Sequence, residues 1–169
     1  MIRKIITCFL LALATVPAVQ SATTVKTSID VQAEISTSVR VYVDGRDVTN
    51  GAISLVLENQ GGYMTARTPA FHFIGNATSV SLRFNAMNDS NLISENNDLM
   101  RMNTTWITPD GTESATSFSV YNQQVYPIFS DVPDPQRGLR VRFVSAQRSE
   151  TYPLGRYSGT FEVLVTPSV

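Results

Sequence analysis

The chain has 169 residues, enough for one domain or at most two very small ones. Hydrophobic residues make up 43% and charged residues 16%, which suits a packed core and excludes a disordered chain. The formal net charge of -1 argues against a nucleic-acid binder that relies on a basic surface. One His and one Cys exclude a Cys-rich zinc site, a His cluster and a disulfide framework.

Residues 1–21 have the layout of a secretory signal peptide. Arg3 and Lys4 form a basic start, Ile5 to Val16 is an almost unbroken apolar run, and Pro17 ends it. The run is too short for a permanent membrane span. Val19 and Ser21 fit the small-residue positions before a cut, so cleavage is expected after Ser21 or Ala22. Removing this segment takes away Arg3, Lys4 and Cys8, the only cysteine. A mature chain without cysteine is held by packing alone, or by a partner.

After residue 22 the apolar pattern has period two rather than 3.6. Val25, Thr27, Ile29, Val31, Ala33 and Ile35 form the first row. Val39, Val41 and Val43 follow, then Ile53, Leu55 and Leu57. Phe71 and Phe73 flank His72. Val80, Leu82 and Phe84 make another row, Phe118 and Val120 sit in a β-prone run, and Leu139, Val141 and Phe143 alternate with arginines. Tyr157, Phe161, Val163 and Val165 make the last row. Turn signals separate the rows: Asp44-Gly45, Asn50-Gly51, Gly61-Gly62, Gly75-Asn76, Pro109-Asp110-Gly111 and the Pro-rich stretch 131–135. Many short strands between such turns predict an antiparallel sandwich. The Asn-rich stretch 85–103 reads as a long loop with a short helical turn. There is no internal repeat and no linker that would split the chain.

The first row is long and lacks Gly and Pro. Eleven residues from Val25 to Ile35 extend about 36 Å at roughly 3.3 Å each. It is either the first strand of its own sandwich or a strand meant for another molecule. At the other end, Gly155-Arg156-Tyr157-Ser158-Gly159 leads into Thr160-Phe161-Glu162-Val163-Leu164-Val165. A terminal strand of this kind can close a sandwich or line an open groove, and Gly159 allows a close neighbour.

Catalytic and metal constellations are weak. Any Ser-His-Asp site would have to use His72, whose place between two Phe reads as a solvated strand residue. Glu95 with Asp98, and Asp131 with Asp134, lack the ordered spacing of a calcium loop. Asn76-Ala77-Thr78, Asn88-Asp89-Ser90 and Asn103-Thr104-Thr105 match glycosylation acceptors, but the pattern is equally that of ordinary polar loop and strand residues. Trp106 would stack on a sugar if exposed; a core position is expected. No enzyme, metal or cofactor is anticipated.

Two segments carry a family resemblance. Ile29-Asp30-Val31-Gln32-Ala33-Glu34-Ile35 is similar to an I-x-V-x-A-x-V donor segment, and Gly155-Arg156-Tyr157-Ser158-Gly159 to a G-x-Y-S-G motif. Val43-Asp44-Gly45 and Ile53-Ser54-Leu55 follow the first at similar spacing. With the signal, the length and the missing mature cysteine, the chain resembles the major pilin subunits of CS1/CFA/I-type (alpha-class chaperone–usher) fimbriae of Gram-negative bacteria. Regions 85–103 and 131–135 have no matching motif.

The resemblance implies an all-β, incomplete immunoglobulin-like β-sandwich completed by a donor strand from a neighbouring subunit. Residues 1–21 would be the signal, 22–36 the N-terminal donor strand and 37–169 the pilin domain. Val25, Thr27, Ile29, Val31, Ala33 and Ile35 would be donated. Tyr157, Gly159, Phe161, Val163 and Val165 would form the acceptor groove and the chaperone contact. Identical subunits would join head to tail, an arrangement that builds an open filament. The other partners implied are a periplasmic pilus chaperone, an outer-membrane usher and a minor tip adhesin. The chain would pass through the periplasm to a fimbria on the cell surface. The alternative from the residues alone is a self-contained secreted β-sandwich that binds carbohydrate.

Overall fold

A computed structural model describes residues 32, 33 and 35–169. The segment expected to be a signal peptide and most of the first apolar row lie outside them. Within them the chain is all-β, with 13 strands and three short 3-10 turns. No described helix is long and apolar enough to cross a membrane. The strands are β1 (Val39–Val43), β2 (Arg46–Asp47), β3 (Glu58–Gln60), β4 (Tyr63–Arg67), β5 (Phe71–Gly75), β6 (Ser79–Ala86) and β7 (Asn91–Ser94). They continue with β8 (Leu99–Ile107), β9 (Glu113–Ala115), β10 (Val120–Tyr126), β11 (Arg140–Ser145), β12 (Tyr157–Ser158) and β13 (Phe161–Ser168).

They form two sheets. One has the order β13-β6-β10-β5-β1-β2; the other runs β12-β7-β8-β11-β4-β3, with β9 also paired to β8. Among the described pairings only β5–β10 is parallel, with Val125 opposite Phe73. The turn residues explain the tight hairpins. Asp44 and Gly45 both take positive φ between β1 and β2, as do Gly61 and Gly62 between β3 and β4. Two-residue loops of that hand match the twist of the strands they join.

The inward rows of both sheets meet in one core. Val80 and Leu82 of β6, Met102 and Trp106 of β8, and Leu139 and Val141 at β11 are almost fully buried. The Trp106 indole Nε1 donates to the Phe118 carbonyl at 3.0 Å, so the one polar atom of the ring is satisfied. A buried Trp106 has no face left for a sugar.

Three expectations need correction. The stretch 85–103 is not a long loop: it holds the end of β6, all of β7 and the start of β8. Two of its asparagines, Asn88 and Asn97, serve the reversals. Asn88, Asp89 and Asn97 take positive φ, which Asn and Asp tolerate better than other side chains. The row Ile53, Leu55 and Leu57 makes no strand among the described residues. Ile53 and Leu57 still reach the core half-buried, while Leu55 stays exposed. Alternation places side chains, but only a paired neighbour makes a ladder. His72 is not solvated. Alternation does send it to the face opposite Phe71 and Phe73, but that face is covered by the segment after β10. His72 is 5% exposed, its Nε2 lies 3.0 Å from the Pro135 carbonyl, and its ring meets the edge of Phe129.

Substituting Leu82→Ala should cost about 2–5 kcal/mol, as large-to-small core changes do, read as a fall in the urea midpoint at constant slope. A second expectation concerns acid. In the β8–β9 turn Asp110 accepts from the Thr108 hydroxyl and from the Thr112 N–H, which holds its carboxyl down at about 2. A lowered folded value means that the contribution is complete at neutral pH and fades as pH falls from the ordinary carboxylate range toward about 2. Asp110→Asn should therefore flatten the acid limb of a stability–pH profile over that window and leave its neutral shape alone.

The C-terminal edge strand as a candidate functional site

β13 lies at the end of its sheet. It pairs with β6 along its whole length, from Phe161 opposite Ala86 to Ser168 opposite Ser79. Among the described residues no strand pairs with its other side. Such an edge presents backbone N–H and C=O groups in a row that can template another strand.

The side chains along it alternate. Phe161, Val163 and Val165 turn inward and are half-buried, whereas Glu162 and Leu164 turn out. Leu164 is 51% exposed. Phe161 stacks on Phe84 with centroids 5.6 Å apart and lies 5.0 Å from Phe143 in the opposite sheet. Phe84 in turn meets Trp106 edge-on at 5.9 Å. An aromatic chain thus runs from the deepest core to the edge strand, and its last member is still partly open. On the outer face Asn85 donates to Glu162 at 2.9 Å, which ties β13 to β6 from the solvent side.

The other two residues expected in the groove occupy different places. Tyr157 belongs to β12, which pairs with β7 in the second sheet. Its hydroxyl donates to the Pro153 carbonyl at 2.8 Å. Burial pushes that hydroxyl above its ordinary range, and the Asp98 carboxylate adds to the shift. Gly159 sits in the crossing between β12 and β13. A Cβ there would lie 2.8 Å from Leu92 Cδ2 and 3.3 Å from the Asn91 carbonyl. The glycine is required by the chain's own β7, where the crossing passes close over it. The structure therefore brings Phe161, Val163 and Val165 together as one row and places Tyr157 and Gly159 at its approach.

Of the residues expected to be donated, Val25, Thr27, Ile29 and Val31 lie outside the described residues. Ala33 and Ile35 are exposed, Ile35 at 86%. An apolar side chain so open is not used by its own core.

The root of this segment shows a residue that sequence reasoning missed. Asn76 grips the chain from three sides. Its side-chain carbonyl accepts from the Ser38 N–H at 2.7 Å, its amide donates to the Ser36 carbonyl at 3.0 Å, and its backbone N–H donates to the Ser38 carbonyl at 3.2 Å. Beside it, a Cβ at Gly75 would overlap the Ser38 carbonyl oxygen, so only glycine lets the two backbones meet. The Gly75-Asn76 pair signalled a turn, and nothing in its spacing announced the partner 38 positions upstream.

Among the described residues no group of three or more His, Cys, Asp or Glu could hold a metal ion. Ser94 and Asp98 instead close their own turn, with the Ser94 hydroxyl donating to the carboxylate at 3.0 Å. No protein-family model and no curated protein matches this chain.

Asn76→Ala should loosen residues 36–38 without unfolding the sheets. Hydrogen exchange should then report faster exchange at the Ser38 amide and unchanged protection at Val80 and Leu82. Uniform loss of protection would show that Asn76 supports the whole fold instead.

Proposed function

We propose that this chain is the structural major subunit of a bacterial adhesive fimbria, an incomplete immunoglobulin-like sandwich that polymerises by donor-strand exchange through the chaperone–usher pathway. The observation that carries the reading is the edge of β13, where Phe161, Val163 and Val165 face the core yet stay half-open beside backbone that no described strand pairs. An inserted strand would complete that ladder and cover the row, at roughly 25 cal/mol per Å2 of apolar surface removed from water.

The segment before Ser36 supplies a strand of matching character. Its apolar row, Val25 to Ile35, is spaced at two, and a slip by one residue would turn Lys26, Asp30 and Glu34 toward the core instead. Each subunit would give residues 22–36 to one neighbour and receive the same segment from another. A periplasmic chaperone would hold the groove first, an outer-membrane usher would direct the exchange, and a minor tip adhesin would cap the polymer. No catalytic role is assigned.

Incubating the mature chain with a synthetic Ala22–Ile35 peptide should raise its melting temperature and stop polymer growth. The same peptide carrying Ile29→Asp should do neither. A mature chain carrying Ile29→Asp should be secreted to the periplasm yet fail to polymerise, and fibres of normal length from it would overturn the reading.

A further inference from the structure

The sandwich has a second open side. β2 and β3 end their sheets on the side away from β13 and β12, and residues 48–57 join them. The join starts as a continuation of the β1–β2 hairpin, with the Val48 N–H donating to the Val41 carbonyl at 2.8 Å. A turn then ends the pairing: Asn50 takes positive φ, and the Gly51 N–H donates back to the Val48 carbonyl at 2.8 Å.

Beyond the turn the backbone has no partner. No N–H or C=O group of residues 52–57 is hydrogen-bonded among the described residues. Ile53 and Leu57 are half-buried against the core, which holds the stretch at the edge of the sandwich. Leu55 and Val56 stay open, Val56 at 83%. Ala52-Ile53-Ser54-Leu55-Val56-Leu57 contains no charge, no Gly and no Pro. Natural edges are guarded by charges and prolines, and a short β-prone window without them is the kind that pairs with another chain.

We infer that residues 52–57 pair with the same residues of a second copy of this chain, antiparallel and about a two-fold axis at Leu55. The stretch is complementary to itself in that arrangement. Leu55 meets Leu55 of the other copy, Ile53 meets Leu57, and Ser54 meets Val56, so every cross-strand pair has an apolar member. Glu58, the nearest charge, falls opposite Ala52 rather than opposite its own copy, so no like charges face each other. Such an isologous contact closes on itself as a pair. Its size sets its strength. Stable interfaces bury about 800 Å2 on each side with roughly 20–30 residues, and this edge is far shorter, so free chains associate weakly. The contact gains force where many copies are held in a row, because each further pairing is then intramolecular. The edge lies across the sandwich from β13, so the pairing does not depend on strand exchange.

The chain without residues 1–21 has no cysteine, so cross-linking tests the pair directly. Directly opposed residues of antiparallel strands have Cα atoms about 4.5–5.5 Å apart, within the roughly 4.4–6.8 Å that a disulfide spans. The background is a mature chain carrying Ile29→Asp, which keeps strand exchange out. In it, Leu55→Cys with oxidised glutathione should give a covalent dimer. Leu164→Cys, exposed on the other edge, should stay monomeric under the same treatment. Adding Val56→Lys to Leu55→Cys should abolish the dimer and leave the melting temperature of the reduced protein unchanged. No dimer from Leu55→Cys, an equal yield from Leu164→Cys, or a dimer that survives Val56→Lys would each overturn the inference. So would loss of the Leu55→Cys dimer on adding the Ala22–Ile35 peptide, which would assign this edge to the N-terminal segment instead.

Discussion

Phe84 holds the architecture together. It is carried by β6, the strand that β13 follows along its full length, and its ring touches Trp106 and Phe143 of the opposite sheet as well as Phe161 of the edge strand. The sheet-to-sheet packing and the seating of the C-terminal strand therefore share one aromatic cluster. Aromatic pairs of this kind add about 0.5–1.5 kcal/mol each beyond the area they bury. Around that cluster the aliphatic side chains of β6, β8 and β11 exclude water, and the two sheets hold their register because any slip would expose them.

The edge is where this order stops. Phe161, Val163 and Val165 continue the inward rows of the core but are sealed from one side only. Natural sheets blunt exposed edges with charges, prolines, bulges or very short strands. Here the only charge on the eight-residue β13 is Glu162, and its one proline, Pro167, comes near its end, so most of its length remains a usable template. Asn76 and Gly75 hold residues 36–38 in place just before the start of β1. Under the proposed reading this grip and the open edge would serve one device, the first anchoring a donated segment and the second receiving a copy of it.

Much of the fold was legible in the alternation. The rows at 39–43, 80–84, 139–143 and 161–165 all became strands or their inward faces, because half-buried antiparallel strands leave a clean period of two. The Gly45 and Gly61-Gly62 turns were legible because positive φ demands particular residues. Two kinds of information were not. Asn residues in 85–103 looked like loop composition, when Asn88 and Asn97 mark corners between strands and Asn85, Asn91 and Asn103 lie within strands. His72 looked solvent-facing, because local alternation gives the face of a side chain and says nothing about a distant segment, here Phe129 and Pro135, that covers the face. The grip of Asn76 on Ser36 and Ser38 likewise depends on register between strands far apart in the chain. For the edge row the sequence named Phe161, Val163 and Val165 together with Tyr157 and Gly159, which the structure places on β12 and in the crossing just before β13.

The parallel contact of β5 with β10 has a consequence for timing. A hairpin can form as soon as its two arms exist, but Phe73 waits for Val125, and β6 waits for β13 nearly at the end of the chain. Contacts so distant make folding slow, because loop closure must come before any reward from packing. Val80, Leu82 and Phe84 have neither sheet neighbour until β10 and β13 are in place. With this order of strands the apolar face of β6 gains its flanking ladders late, so unwanted association is expected in that window rather than from the finished fold.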